Sequence, residues 1–396
     1  MITVTYEYKL KPSAQQIETF ESWLDACKKV YNFALRERKD WVNSRKSAVN
    51  SCSLVSEYII PADAPRPTYA SQCKALTSAK KMYPSLQLPH IHVLQQTLRQ
   101  LEAAFVAMWE RGHGFPRFKK KMRSFVYPDV KQNAVEPGRV KLPKIGWVRM
   151  RMSRPLPVGA ACPKGLGFIL KQIRVVKRVS GYFVMLNYQL GVQVPDARVH
   201  GHFLGVDIGL DKYLATSDGE LVSRPRFFNA LQGKLKLLQR RLKHKKKGSS
   251  HWLKLQKKIA RIHQKINDTR KDWHFKLAHH LCDQAGAIFV EDINFKAWAK
   301  GLFVKHTLDA AYGQFFKILS YVCWKRDVFF LKVDKDYTSQ ICPNCGTHTG
   351  KKDLSERIHR CDRCGYITNR DVAAAQVIRD RGASAVLALC VEEHLA

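Results

Sequence analysis

Four of the eleven cysteines stand in two pairs, Cys342-x2-Cys345 and Cys361-x2-Cys364, each second cysteine followed by glycine in CPNCG and CDRCG. Two such knuckles set four thiolates tetrahedrally around Zn²⁺ at about 2.3 Å each, and the glycine permits the tight turn that closes each knuckle. Four thiolates leave no open coordination position, so this pattern predicts one structural zinc ion rather than a catalytic one. The other seven cysteines (Cys27, Cys52, Cys73, Cys162, Cys282, Cys323 and Cys390) are scattered and odd in number, which argues against a disulfide framework. They read as small apolar residues.

A second group is acidic in a basic chain. Asp207 sits in Leu204-Gly-Val-Asp-Ile-Gly-Leu210, a run that otherwise reads as a buried strand. Alternation puts Val206 and Ile208 on one face and Asp207 on the other, and the flanking Gly205 and Gly209 are expected to leave room for a ligand. Glu291 follows the apolar run Ala287-Ile-Phe-Val290, and Asp371 opens the last helix. Three carboxylates at strand ends and a helix start suit hard cations such as Mg²⁺, which prefer oxygen ligands. Periodicity alone nominates Asp292 equally with Glu291, and an Asp at a helix start commonly serves as a cap.

The third group interleaves bases with aromatics. Arg117, Lys119, Lys120 and Lys121 lie in GFPRFKKK, Lys144 and Trp147 in KLPKIGWVRMR, and Arg240, Arg241, Lys245 and Lys246 in a long basic helical stretch. Lys and Arg neutralise phosphates, and aromatic rings stack on unpaired bases. His90-x-His92 and His279-His280 lack partner ligands at a recognisable spacing and read as packing or surface residues. No GxSxG, Walker A loop or dinucleotide fingerprint occurs.

The elements that must position these groups follow from periodicity. Val4, Tyr6, Tyr8 and Leu10 alternate as in a half-buried strand, and Ser13 with Gln16 then caps a helix carrying Ile17, Phe20, Trp23, Leu24, Cys27, Val30, Tyr31 and Ala34 at helical spacing. Residues 51–92 are rich in Pro and Ser, and 92–111 reads helical again. From 112 to 195 short β-rich runs predict an antiparallel, barrel-like unit that also recruits the first strand. Strands FLGVDIGL, YLAT and ELVS open a new domain. Between Lys234 and Lys276 sixteen Lys/Arg face two Asp, and Gly248-Ser249-Ser250 should split this stretch into two antiparallel helices. A strand AGAIFVEDI, a helix over 307–326, a strand FFLKVD, the cysteine-rich segment and a closing helix NRDVAAAQVIRD complete the order.

The chain has 396 residues, is 45% hydrophobic and carries a net charge of +35. That composition excludes global disorder and makes a polyanion, nucleic acid first, the expected partner. No stretch approaches the ~20 consecutive apolar residues of a spanning helix, and the first ten residues are charged too early for a signal peptide. The expectation is a cytoplasmic, nucleoid-associated protein with no membrane partner.

The ordered motifs GVDIGL, FVEDIN, YTSQICPNCG and CDRCGYITNRDVAAAQVI, with GFPRFKKK and KLPKIGWVRM upstream, resemble the TnpB family of transposon-encoded RNA-guided DNA endonucleases, relatives of the compact type V CRISPR effectors. The resemblance implies an α+β multidomain chain. An RNase H-like (RuvC) α/β nuclease domain would span 201–338 and 367–396, with a zinc ribbon inserted at 339–366. A β-barrel wedge domain would combine 1–12 with 112–200, and 13–111 would form a helical recognition domain. The resemblance further implies Asp207, Glu291 and Asp371 as the catalytic acids, two Mg²⁺ ions held by them, zinc on the four cysteines, and guide RNA and double-stranded DNA as partners. The implied activity is phosphodiester hydrolysis beside a short flanking motif. The competing readings are a catalytically silent RNA-guided repressor, a zinc-ribbon DNA-binding protein, and a DNA-joining transposase. The presence of all three acids weighs against the silent reading.

Overall fold

A computed structural model describes residues 2–46, 60–61, 63–128, 130–156, 168–191, 197–298, 304–353 and 355–395. The chain divides into two compact units, Met1–Val194 and Pro195–Ala396. Expectations for Cys52 and Cys162, and for the start of the Pro-rich stretch (51–59 and 62), fall outside the described residues.

The first unit begins with β1 (Ile2–Lys11), α1 (Ala14–Lys46), α2 (Tyr69–Met82), the short α3 (Pro84–Gln87) and α4 (Ile91–Arg111). It continues as β2 (Ser124–Tyr127), β3 (Val135–Glu136), β4 (Arg139–Leu142), β5 (Gly146–Arg151), β6 (Phe168–Arg178) and β7 (Gly181–Leu190). These strands form one sheet in the order β2-β6-β7-β1-β5-β4-β3, with every pairing antiparallel. The first strand is therefore recruited as expected, lying between β7 (Ile2 opposite Leu190) and β5 (Leu10 opposite Met150). Along β7 every second residue from Tyr182 to Tyr188 is buried, the period of a sheet with one covered face. The covering layer is helical: Phe20 and Trp23 of α1 meet Phe125 at centroid distances of 5.7 and 5.6 Å, and Leu94, Leu98, Leu101 and Phe105 of α4 join the same core.

The Ser13–Gln16 capping box forms as read, with Gln16 N donating to Ser13 Oγ at 3.2 Å and Ser13 N to Gln16 Oε1 at 3.0 Å. Helix α2 was not expected inside the Pro-rich stretch. It starts with its own capping box between Thr68 and Ser71, and Gln72 and Leu76 supply its buried face.

The second unit runs β8 (Phe203–Ile208), β9 (Lys212–Thr216), β10 (Leu221–Ser223), α5 (Asn229–Lys243), α6 (Ser250–Gln284) and β11 (Ala287–Glu291). Then come α7 (Phe295–Trp298), α8 (Val304–Ala310), α9 (Tyr312–Lys325), β12 (Phe329–Val333), β13 (Ile358–Arg360), β14 (Ile367–Asn369) and α10 (Arg370–Leu395). Its main sheet has the order β10-β9-β8-β11-β12. Strands β8, β11 and β12 are parallel to one another, whereas β9 and β10 are antiparallel additions. The basic stretch does split at Gly248–Ser249, where Ser249 caps α6, and Leu235, Leu238 and Ile259 pack α5 on α6. The single helix expected over 307–326 is two: it breaks at Ala311, which adopts a left-handed φ of 52°.

Leu204, Val206 and Ile208 of β8, with Ile288 and Val290 of β11, pack against Leu277 and Leu281 of α6 and Phe315 and Leu319 of α9. The opposite face, with Phe203, Ala287, Phe289 and Val333, packs against Ile378 and Val386 of α10. No helix among the described residues is long and apolar enough to cross a membrane.

Candidate active site

The alternation of β8 puts Phe203, Gly205 and Asp207 on the face covered by α10, and that of β11 puts Ala287, Phe289 and Glu291 there too. The parallel register pairs Ala287 with Phe203 and Phe289 with Gly205. Continued by two residues, it sets Glu291 level with Asp207 on adjacent strands, about 4.8 Å apart in the hydrogen-bonding direction. Asp371 enters from the first turn of the helix lying on this face. The three sequence-nominated acids therefore come from a central strand, its neighbour's end and a helix start.

Their electrostatics agree with that convergence. Burial pushes the Asp207 carboxyl well above the ordinary range, and the charges of Glu291 and Asp371 push it further. Burial also raises Glu291, opposed by a hydrogen bond from Thr338 Oγ1 at 2.5 Å and by the cations Arg381 and Lys335. A buried carboxylate with two further carboxylates acting on it constitutes a site that gains from a cation. Among the described residues only the four cysteines bring three or more ligand atoms within 4.8 Å of one another.

Two ambiguities left by periodicity have structural answers. Asp292 is exposed and pairs with Lys332 at 3.0 Å, away from Asp207. The capping alternative for Asp371 falls to Asn369, whose Oδ1 accepts from the backbone N–H of Asp371 at 2.9 Å and of Val372 at 3.4 Å. The Asp371 carboxylate is thereby spared the cap.

One expectation is corrected. Gly205 does not leave room for a ligand: a Cβ built there would lie 1.9 Å from the Ala375 carbonyl oxygen and 2.7 Å from Arg379 N. It is the seat of α10, which also brings Gly382 onto the Phe289 ring, where a Cβ would stand 2.1 Å away. At Gly209 the nearest atom, Lys212 O at 3.2 Å, belongs to the β8–β9 turn.

The cysteines form two equivalent knuckles. Gly346 N donates to Cys342 O at 2.9 Å and Gly365 N to Cys361 O at 2.8 Å, while Cys342 N and Cys361 N donate to Thr347 O and Tyr366 O. Gly346 (φ 72°) and Gly365 (φ 70°) hold the left-handed conformation that favours glycine. Sγ atoms of Cys342 and Cys364, and of Cys345 and Cys361, are 3.6 Å apart. A tetrahedron with bonds of about 2.3 Å has edges of about 3.8 Å, so the cluster is compatible with structural zinc.

Of the basic candidates, Arg117, Lys119, Lys120, Lys121, Lys144, Arg240, Arg241, Lys245 and Lys246 are exposed. Arg241 and Lys245 line a groove with His244, His251, Lys254 and Lys258 between α5 and α6. Lys144 is partly engaged, donating to Gln87 O at 2.8 Å, and the Trp147 ring is half-buried under Arg139 (4.6 Å) and Lys141 (5.8 Å). The histidine pairs serve locally: His90 Nδ1 caps α4, and His280 meets Glu220 at 3.1 Å. Cys27, Cys282 and Cys323 are buried among apolar side chains.

Sequence reading missed Thr338 and Asn369, the neutral partners of two acids. Both lie inside motifs already singled out, YTSQICPNCG and CDRCGYITNRD, where a hydroxyl and an amide near the acids were the available signal.

Comparison with known proteins gives a consistent picture. Residues 1–47 match the helix-turn-helix domain model of OrfB from IS605, residues 187–301 the OrfB IS605 model described as "Probable transposase", and residues 312–378 the TNB domain of Cas12f1-like proteins. The chain is 29% identical over 404 residues to the Escherichia coli K12 protein named "Putative RNA-guided DNA endonuclease InsQ", covering 97% of this chain and 93% of that one. It is 27% identical over 389 residues to a protein of Streptomyces pristinaespiralis named "Putative RNA-guided DNA endonuclease", covering 96% and 89%. The fold is similar to that of Cas12f1 in a cryo-EM complex with sgRNA and target DNA, with a TM-score of 0.56 at 14% identity over 96% of this chain and 98% of that one. The chain is a mixed α/β multidomain protein resembling Cas12 effectors, and the motifs, the models matched in chain order and the near full-length relatives together make it similar to the transposon-encoded RNA-guided DNA endonucleases of the TnpB family.

Proposed function

We propose that this chain is an RNA-guided DNA endonuclease whose chemistry is metal-assisted phosphodiester hydrolysis at Asp207, Glu291 and Asp371. The observation that carries the reading is the placing of a buried Asp207 on the β8–β11 face beside Glu291 and Asp371, where burial first and the charges of those two carboxylates next push its carboxyl well above the ordinary range. A protein that only binds nucleic acid gains nothing from three carboxylates that repel phosphate. Three carboxylates offer oxygen ligands of the kind that would hold one or two Mg²⁺ ions. When bound there, Mg²⁺ supplies Lewis acidity for an attacking water and charge neutralisation at the leaving oxygen.

The chain's own residues set up that site. Asp207, fixed on a central strand, would hold both cations, while Glu291 and Asp371 would each complete one side. Thr338 fixes Glu291 through its hydroxyl, and Asn369 satisfies the helix start so that Asp371 keeps its oxygens free. The order β10-β9-β8-β11-β12, three parallel strands with an antiparallel pair, supports reading 201–338 and 367–396 as an RNase H-like (RuvC) domain. The segment 339–366 is read as its zinc ribbon, holding one structural zinc. Residues 1–12 with 112–200 are the wedge barrel, and 13–111 the recognition helices. Guide RNA and double-stranded DNA are the partners, and the exposed bases of GFPRFKKK and of the α5–α6 groove contact phosphates. Sequence reading is delegated to base pairing.

The test is cleavage of a plasmid library, carrying a guide-matched target beside randomised bases, by protein purified with RNA transcribed next to its gene. We expect Mg²⁺-dependent loss of one flanking motif, abolished by Asp207→Ala with RNA binding intact. Cutting by purified Asp207→Ala protein would sink the site assignment. Guide-dependent binding without cutting would establish the repressor reading instead.

A further inference from the structure

Asp207 and Glu291 end their strands at one edge of the second unit's sheet, and a cation stands at the same edge. Ala215 of β9 lies opposite both Asp207 of β8 and Leu221 of β10, so the three are level on the sheet. Because β8 and β10 are each antiparallel to β9, β10 runs in the direction of β8 and its C-terminal end opens where the acids lie. The residue that follows β10 there is Arg224. Two strand spacings, about 9–10 Å, separate β10 from β8. Tyr312 spans the gap: its hydroxyl donates to the Gly209 carbonyl, two residues beyond Asp207. Burial pushes that hydroxyl's pKa up to about 12, Arg224 lowers it and Asp207 raises it, so guanidinium and carboxylate act on one group.

The second observation is how the cations around the acids are held. Arg370, which acts on Asp207, donates to the carbonyls of Asp353 and Glu356. Of the cations acting on Glu291, Arg381 donates to the Asp334 carbonyl at 2.8 Å and Lys335 faces Asp336 at 3.6 Å. Arg224 is half-buried and meets the imidazole Nδ1 of His306 at 3.2 Å, and among the described residues no carboxylate pairs with it within 4.0 Å. The Asp309 carboxyl nearby accepts from Phe228 N at 3.0 Å and is shared by Arg270, Arg224 and His306. A partly desolvated guanidinium without an anion at contact gains from one, and its planar fork matches two phosphate oxygens.

We propose that Arg224 binds a phosphate of the DNA strand being cut, one or two nucleotides from the scissile bond, and so directs that strand from the end of β10 to Asp207. The inference rests on the cleavage reading above and adds the path of the strand to it. The adjoining site selects the occupant: a strand with its scissile group at the acids must carry its next phosphates along this sheet edge. On the β12 side the cations are already engaged, and on the β10 side Arg224 is open to exchange. Its head is held at His306 of α8, two strands from Asp207, so the phosphate it meets neighbours the scissile one. The imidazole carries no negative charge, and Arg224 exchanges it for phosphate without stranding an anion.

The experiment measures single-turnover cleavage of the matched target by saturating purified ribonucleoprotein. One phosphate at a time near the mapped cut is replaced by an uncharged methylphosphonate. A replacement within two nucleotides of the cut should slow the wild type about tenfold, the scale of losing one charge-assisted contact. Arg224→Gln should slow cleavage by a similar factor and Arg224→Lys by less, with RNA affinity unchanged. The sensitive replacement should slow the Arg224→Gln particle no further, because both changes remove the same contact. A merely structural role would make the two losses multiply, and that result overturns the proposal. A wild-type scan in which no replacement within two nucleotides matters overturns it without any variant, while leaving RNA-guided cleavage standing. A wild-type particle that binds its target and never cuts it overturns both readings.

Discussion

At the scale of single residues, the acid site depends on neutral neighbours as much as on its carboxylates. The Thr338 hydroxyl is bonded to Glu291 at 2.5 Å and, among the described residues, is the neutral side-chain partner of that carboxylate. Thr338→Val keeps the shape and removes the donor, so Glu291 loses its fixed rotamer. Cleavage should slow about tenfold, the scale of losing one orienting hydrogen bond, while RNA affinity holds. Single-turnover rates on a matched target measure this, and an unchanged rate would remove Thr338 from the site. His274 makes a separate, pH-linked prediction. It is fully buried, bonded to Tyr213 Oη at 2.9 Å and Ala310 O at 3.1 Å, and burial together with Arg270 lowers its pKa to about 4. The unfolded chain takes up this proton near pH 6.5, so the contribution is complete above 6.5 and is lost as pH falls toward 4. A gap of that size corresponds to about 3 kcal/mol. Urea titrations of wild type and His274→Gln at pH 7 and pH 4.5 should show the variant less stable at pH 7 but less sensitive to acid.

At the scale of elements, the helix α10 is the device that assembles the site, because it carries Asp371 onto the strand face that holds Asp207 and Glu291. Its close approach is possible only over glycine. Gly205→Ala would drive a methyl group into the Ala375 carbonyl at 1.9 Å. The overpacking should cost at least about 3 kcal/mol. For a unit of this size that corresponds to a melting temperature roughly 6–12 °C lower, and calorimetry reads it directly. The zinc ribbon lies between β12 and α10 in the chain, so its folding energy bears on the same helix. Cys361→Ser should lose bound metal and expose the C-terminal region to proteolysis; full metal content in the variant would contradict the four-thiolate site. These relations also mark where the sequence was legible. The alternation around Asp207 in FLGVDIGL, the apolar strand run AIFV, the capping box at Ser13 and the CxxCG knuckles are local, and the strands, the cap and the knuckles form where they were read. The parallel register of β8 with β11 and the descent of α10 onto Gly205 are contacts between distant segments. No local pattern encodes them, which is why Gly205 read as a ligand gap. The break at Ala311 is tertiary in the same way, since Tyr312 beyond it is tied to the Gly209 carbonyl of the β8–β9 turn. Helix α2 was legible in part, because Thr68 and Ser71 make the capping pattern, but the surrounding prolines masked it.

At the scale of the whole molecule, a charge of +35 must be neutralised by something, and its placement says how. The α5–α6 hairpin concentrates Arg241, His244, Lys245, His251, Lys254 and Lys258 around one groove of about 470 Å³ with no acid in its lining. The apolar stripe of Leu235, Leu238 and Ile259, which Leu255 of the groove joins, packs the two helices without these cations. A groove of like charges costs stability in isolation and gains it back only against phosphate. Each cation engaged with a single strand contributes about 0.7 to the slope of log affinity against log salt, or about 0.9 with a duplex. Replacing Arg241, Lys245 and Lys254 together by alanine should therefore flatten the slope by about 2–3, and weaken binding most at low salt. All three are exposed and outside the packed stripe, so the melting temperature should hold. The size of the change distinguishes the polyanion: about 2.1 marks single-stranded RNA and about 2.7 marks duplex DNA. Equal slopes for wild type and variant would mean that the charge of this groove meets no nucleic acid, and that the phosphate contacts belong to the GFPRFKKK face of the first unit instead.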